Sequence, residues 1–124
     1  MHRLFLLCVT LFGFALRLWS LDGKGLSYDE AATALMARAT IGEIIDFHWR
    51  AAFEHPPVWQ LLMHFWSRYV GQSEFALRLP AVLAGVLLLP LLWQWVRRLA
   101  LSPWTALTAA GLATVAPGLV YYSQ

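Results

Sequence analysis

In this chain of 124 residues, 60% of the side chains are hydrophobic and 13% are charged, roughly half the charged share of a soluble domain. That balance excludes an ordinary water-soluble fold, and a formal charge of +2 without a basic stripe excludes a nucleic-acid partner. Cys8 is the sole cysteine, which excludes a disulfide framework.

The chain opens with residues 4–16, free of charge, and the apolar run reaches Leu21 if Arg17 snorkels to the headgroups. Residues 1–21 are therefore the first predicted span. Met-His-Arg before an apolar run also suits a signal peptide. However, no small-x-small cleavage site follows, and Arg17 and Trp19 stand where cleavage is expected, so an uncleaved anchor is the expectation.

Residues 22–73 form a loop between spans, and all seven acidic residues lie between Asp22 and Glu74. Ser27-Tyr28-Asp29-Glu30 opens a helix with apolar residues at helical spacing, ending near Thr40. A second short helix is expected over 41–53, with Ile44, Ile45 and Phe53 set against Glu43, Asp46 and Arg50. Glu54-His55-Pro56-Pro57 follows, an extended stretch whose last proline can begin a helix. Over 58–70, Gln60, His64, Ser67 and Arg68 make one polar stripe amid aromatic and aliphatic residues. That helix is too short to span and suits the membrane interface. Gly71 stops it, and Gln72-Ser73 offer the next cap.

The second predicted span covers 74–98, with Pro80 near its outer end and Pro90 inside it. Ser102-Pro103 reads as cap and first residue of a third span over 103–122. Pro117-Gly118 breaks its outer end and leaves Tyr121 and Tyr122 at the interface. The predicted fold is all-α: a polytopic helical membrane protein with three transmembrane helices and a loop of short amphipathic helices after the first. The chain stops at Gln124 with no polar tail, so the N-terminal part of a longer protein is the expectation.

Charge placement predicts sidedness. Arg3 precedes the first span and Arg97-Arg98 lies between the second and third, whereas residues 22–78 hold seven acids and five bases. By the positive-inside rule, the N-terminus and Arg97-Arg98 are cytoplasmic and the acidic loop is outside.

Asp29 and Glu30 stand at the start of a predicted helix just beyond the first span. As Ser27-x-x-Glu30 they form a capping box, with Asp29 complementing the helix dipole. As chemistry, a carboxylate at the membrane surface is a general base. The two readings coexist, because a cap holds Asp29 in one orientation. His55 is either a loop residue or a phosphate contact, and Glu54-His55 without a third ligand is a weak signal for a divalent metal. Arg78 and Arg17 either snorkel and pair, or meet a lipid phosphate. His64 belongs to the polar stripe of its helix. No phosphate-cradling glycine loop, Cys/His metal spacing or nucleophile elbow occurs.

The order RLWSLDGKGLSYDEAATALMARA, then EHPPVWQLLMHFWSRYVGQSEFALRLPAVLAGVL, then APGLVYYSQ resembles the N-terminal part of the C-superfamily glycosyltransferases that use lipid-linked sugars. Within these, it resembles family 39, the protein O-mannosyltransferase and aminoarabinose-transferase group. The resemblance implies a polytopic enzyme that moves a sugar from a polyprenyl-phosphate carrier to a hydroxyl acceptor, inverting the anomeric centre. It also implies a bacterial plasma membrane, with residues 22–73 and the chemistry on the extracytoplasmic side. By position, Asp29 would deprotonate the acceptor with Glu30 assisting, and His55 and Arg78 would meet the donor phosphate. His55 replaces the lysine that aminoarabinose transferases have there, and a neutral His is a poorer phosphate partner. No cofactor is firmly implied. The competing reading is a non-catalytic three-span subunit or scaffold in which Asp29 and Glu30 only cap a helix.

Overall fold

The computed structural model describes residues 1–19, 21, 25–51, 56–99 and 102–123. Among them the chain is all-helical: α1 (His2–Leu18), α2 (Tyr28–Met36), α3 (Ile41–Arg50), α4 (Val58–Val70), α5 (Glu74–Arg98), α6 (Pro103–Val115) and α7 (Pro117–Tyr121). Two compact units emerge, one from residues 1–21 and 78–124, the other from residues 22–77.

In the first unit, α1 lies against α6. The buried face of α6 is Ala106, Leu107, Ala110, Ala113 and Thr114, recurring at helical spacing. Mostly small side chains on that stripe let two helix backbones approach, as membrane helices do. On α5, Val82 and Leu89 are fully buried, and Gly85 lies between them on the same stripe. Ser102 caps α6 by accepting from the Thr105 N–H at 3.1 Å, with Pro103 in the first turn.

Among the described residues, α5 alone is long and apolar enough to cross a membrane unaided. Its 25 residues rise about 37 Å, against a hydrocarbon core of about 30 Å. It runs unbroken through Pro80 and Pro90. The 17 residues of α1 rise about 26 Å. The expected third span is two helices rather than one. Ala116 leaves helical geometry at ψ 117°, so α6 stops after 13 residues and α7 adds five more. Pro117 causes the break, since it has no N–H to return and its ring crowds the preceding turn. Three spans are thus an expectation that the helix lengths meet at α5.

In the second unit, α2 and α3 both lie against α4. Ala37, Met63 and Leu77 form its core, with Leu26, Ala34 and Trp66 packed around them. The polar stripe of α4 is divided: His64 and Ser67 are buried and Arg68 is exposed, as are Trp59, Leu62, Phe65, Tyr69 and Val70. The His64 Nδ1 lies 3.1 Å from the Ala37 carbonyl. A carbonyl only accepts, so Nδ1 carries the hydrogen. Gly71 ends α4 at φ 103°, a backbone region that side chains with a Cβ rarely enter.

Candidate functional site

The α2 N-terminus is built as a capping box. Glu30 N–H donates to Ser27 Oγ at 3.4 Å, and Ser27 N–H donates to Glu30 Oε2 at 2.7 Å. The two acids thereby take different tasks. The Glu30 carboxylate is bound into the turn. The Asp29 side chain, one residue earlier in the same first turn, is exposed and makes no hydrogen bond or ion pair among the described residues. The α2 helix that presents it is anchored at its far end, where His64 meets the Ala37 carbonyl and Arg38 Nε donates to Gln72 Oε1 at 2.7 Å. On α4, Trp66 Nε1 donates to the Ala76 carbonyl at 2.8 Å, which ties that helix to the first turn of α5.

A second capping box, unnoticed in the sequence, opens α3. Thr40 Oγ1 accepts from the Glu43 N–H at 3.3 Å, and Glu43 Oε2 accepts from the Thr40 N–H at 2.7 Å. The signal was there in Thr40-Ile41-Gly42-Glu43, masked by an α2 expected to run to Thr40. These bonds favour the ionised carboxylate and hold the Glu43 pKa below the ordinary carboxylate value. Asp46 pairs with Arg50 at 2.8 Å, an exposed i,i+4 ion pair on the same helix.

The other site candidates divide between the units. Arg78 lies in the first unit, 7% exposed, with Nη1 donating to the Leu21 carbonyl. Arg17 is fully buried rather than snorkelling, which corrects its expected route to the headgroups. Glu54 and His55 lie outside the described residues. No group of three His, Cys, Asp or Glu side chains that could hold a metal comes together among the described residues.

Over residues 54–124, more than half of the chain, the sequence matches the model of the dolichyl-phosphate-mannose-protein mannosyltransferases. The chain belongs to that family. No curated protein and no solved structure gives a significant match. Family membership makes this a glycosyltransferase of the C-superfamily type, a membrane-bound class. The matched mannosyltransferase region takes in α4 to α7 and Arg78, and it begins after Asp29 and Glu30. The acidic pair therefore rests on its own geometry and on the resemblance of its surrounding sequence.

Proposed function

We propose that the chain is the acceptor-activating part of an inverting glycosyltransferase that draws its sugar from a polyprenyl-phosphate carrier on the extracytoplasmic side of the membrane. The observation that carries this reading is the split between two adjacent acids: Glu30 is bound into the cap, whereas Asp29 is exposed and held on the same turn. A general base has to be reachable by the proton it removes, and it gains from a fixed backbone.

In the reaction, the Asp29 carboxylate takes the proton from an acceptor hydroxyl as its oxygen attacks the anomeric carbon. The bond from that carbon to the carrier's phosphate oxygen breaks on the opposite face, and the electron pair leaves with the phosphate. Charge builds on the sugar as an oxocarbenium-like centre and on the departing phosphate. Phosphate leaves readily, so cations around it matter more than a general acid. On the resemblance, Arg78 and His55 are the proposed cations, with Arg78 acting through its charge from a buried seat against the Leu21 carbonyl. Glu30 assists by holding the turn.

The topology proposed with this has three crossings, with α1 and the α6–α7 pair joining α5. The N-terminus and Arg97-Arg98 are cytoplasmic and residues 22–73 are outside. The outward apolar face of α4 supports the placement, since an interfacial helix puts its rings toward lipid.

The deciding experiment is transfer from a labelled polyprenyl-phosphate sugar by the complete protein carrying Asp29→Asn, beside Glu30→Gln. Asp29→Asn is expected to lower turnover by about 10²–10⁴-fold with donor binding retained. Glu30→Gln should lower it less, through a looser turn. Near-normal turnover in Asp29→Asn would remove it as the base and favour the scaffold reading.

A further inference from the structure

We infer that Arg17 is a positioning residue that caps the C-terminus of α6 and seats α7, covering carbonyls that the Pro117 break leaves without partners. This does not depend on what the chain transfers. The last four carbonyls of any helix lack intrahelical partners, here those of residues 112–115. Pro117 makes the deficit permanent at Ala113, because the residue four positions on has no N–H to return.

The guanidinium of Arg17 enters this gap from α1. Its Nη2 lies 3.5 Å from the Ala113 carbonyl and its Nη1 3.5 Å from the Thr114 carbonyl. At that length the attraction is largely that of a full positive charge for the negative end of the α6 dipole. The shorter bonds fix where the charge sits. Nη1 donates to the Gly13 carbonyl at 3.2 Å, and Nε donates to Ser123 Oγ at 2.9 Å. Ser123 in turn donates to the Leu119 carbonyl at 2.6 Å, on the last turn of α7. One side chain therefore links the end of α6, the end of α7 and the last turn of α1. Ala113 and Thr114 are themselves buried, so water is a poor substitute partner for either carbonyl.

The space around the cation is built for it. A Cβ on Gly85 would lie 3.0 Å from Arg17 Nε and 2.7 Å from Ser123 Cβ, so α5 presents a bare backbone where the clamp passes. Had the arginine served only to reach headgroups, neither its burial nor this missing Cβ would be required.

The experiment is hydrogen exchange of the detergent-solubilised chain, read by mass spectrometry over residues 116–123, with Arg17→Met and Pro117→Ala in a double-mutant cycle. Methionine fills the space without donating. Arg17→Met is expected to speed exchange of these amides roughly tenfold or more, as loss of charge-assisted bonds to a helix end implies. Pro117→Ala restores an N–H at position 117, so Arg17→Met should cost markedly less in that background. Equal acceleration in both backgrounds, or no acceleration in the first, overturns the assignment. If Arg17→Met fails to fold alone and folds with Pro117→Ala, the assignment stands. If neither folds, Ser123→Ala decides: faster exchange confined to residues 116–123 supports the clamp, and unchanged exchange there overturns it.

Discussion

Three glycines in the helices of the first unit give the sharpest test of this packing, because the same change should act differently at each. A helix-interior Gly→Ala substitution gains about 1 kcal/mol from backbone entropy alone. At Gly111 in α6 a new Cβ meets nothing within 4 Å, so that gain should appear nearly whole. At Gly85 the new methyl would sit 2.7 Å from Ser123 Cβ, an atom one bond from the backbone that cannot swing aside. Relief there means moving α5 or the turn after α7, at about 1–3 kcal/mol for overpacking. It would also push on the bond from Arg17 to Ser123, a charge-assisted bond worth about 1.5–3 kcal/mol. With overpacking and loss of that bond set against about 1 kcal/mol of entropy gain, Gly85→Ala should come out destabilising by about 1.5–5 kcal/mol. Gly13→Ala belongs between them, since its 2.7 Å contact is to Leu89 Cδ1, the far end of a flexible side chain. Thermal unfolding in detergent should therefore order the melting temperatures Gly111→Ala, wild type, Gly13→Ala, Gly85→Ala, over several degrees. A Gly85→Ala protein as stable as Gly111→Ala would show that α5 does not approach Ser123 as described.

In the second unit, His64→Ala removes a buried ring and strands the Ala37 carbonyl. A loss of about 1–3 kcal/mol is expected in the same melting assay, and no loss would mean the contact is incidental. Gly71→Ala forces a Cβ into φ 103° and should destabilise the turn after α4 even though the space around it is open. The Thr40–Glu43 box predicts a pH effect. The folded-state pKa of Glu43 is lowered, so its contribution is present above the ordinary carboxylate value and fades as pH falls through the lowered one. Exchange at the start of α3 should quicken across that acid window, and Glu43→Gln should abolish this dependence. Reporter tags at the N-terminus and between residues 98 and 102 should register cytoplasm, with one at Glu43 opposite; the reverse pattern would undo the proposed sidedness.

The sequence carried the elements whose causes are local. Ser27-x-x-Glu30, the α4 limits at Val58 and Val70, the Gly71 stop and the Ser102-Pro103 start are set by residues within one turn of where they act. Helix ends without such punctuation drifted: α2 stops at Met36 instead of near Thr40, and α3 stops at Arg50 within the expected 41–53. The inward turn of His64 was hidden for another reason. Periodicity shows that a helix has a polar stripe, and what surrounds the helix decides which way the stripe faces. Arg17 was ambiguous because three of its partners lie about a hundred positions away, at Ala113, Thr114 and Ser123. The candidate base followed the same division, with the cap legible and the separate fates of Asp29 and Glu30 visible only in three dimensions.

His64 and Arg17 solve one problem in two settings. Each helix end leaves carbonyls bare, and in water solvent would cover them. Here α2 ends under His64 and α6 ends under Arg17, both buried, so the protein supplies the donors itself. The outward side of α4 is correspondingly given to Trp59, Leu62, Phe65 and Tyr69. Within each unit, a buried side chain from a neighbouring helix thus supplies the donor that a solvated helix end would take from water. Beside these committed side chains, the exposed Asp29 carboxylate makes no hydrogen bond or ion pair among the described residues, which is the feature that the proposed acceptor-activating role draws on.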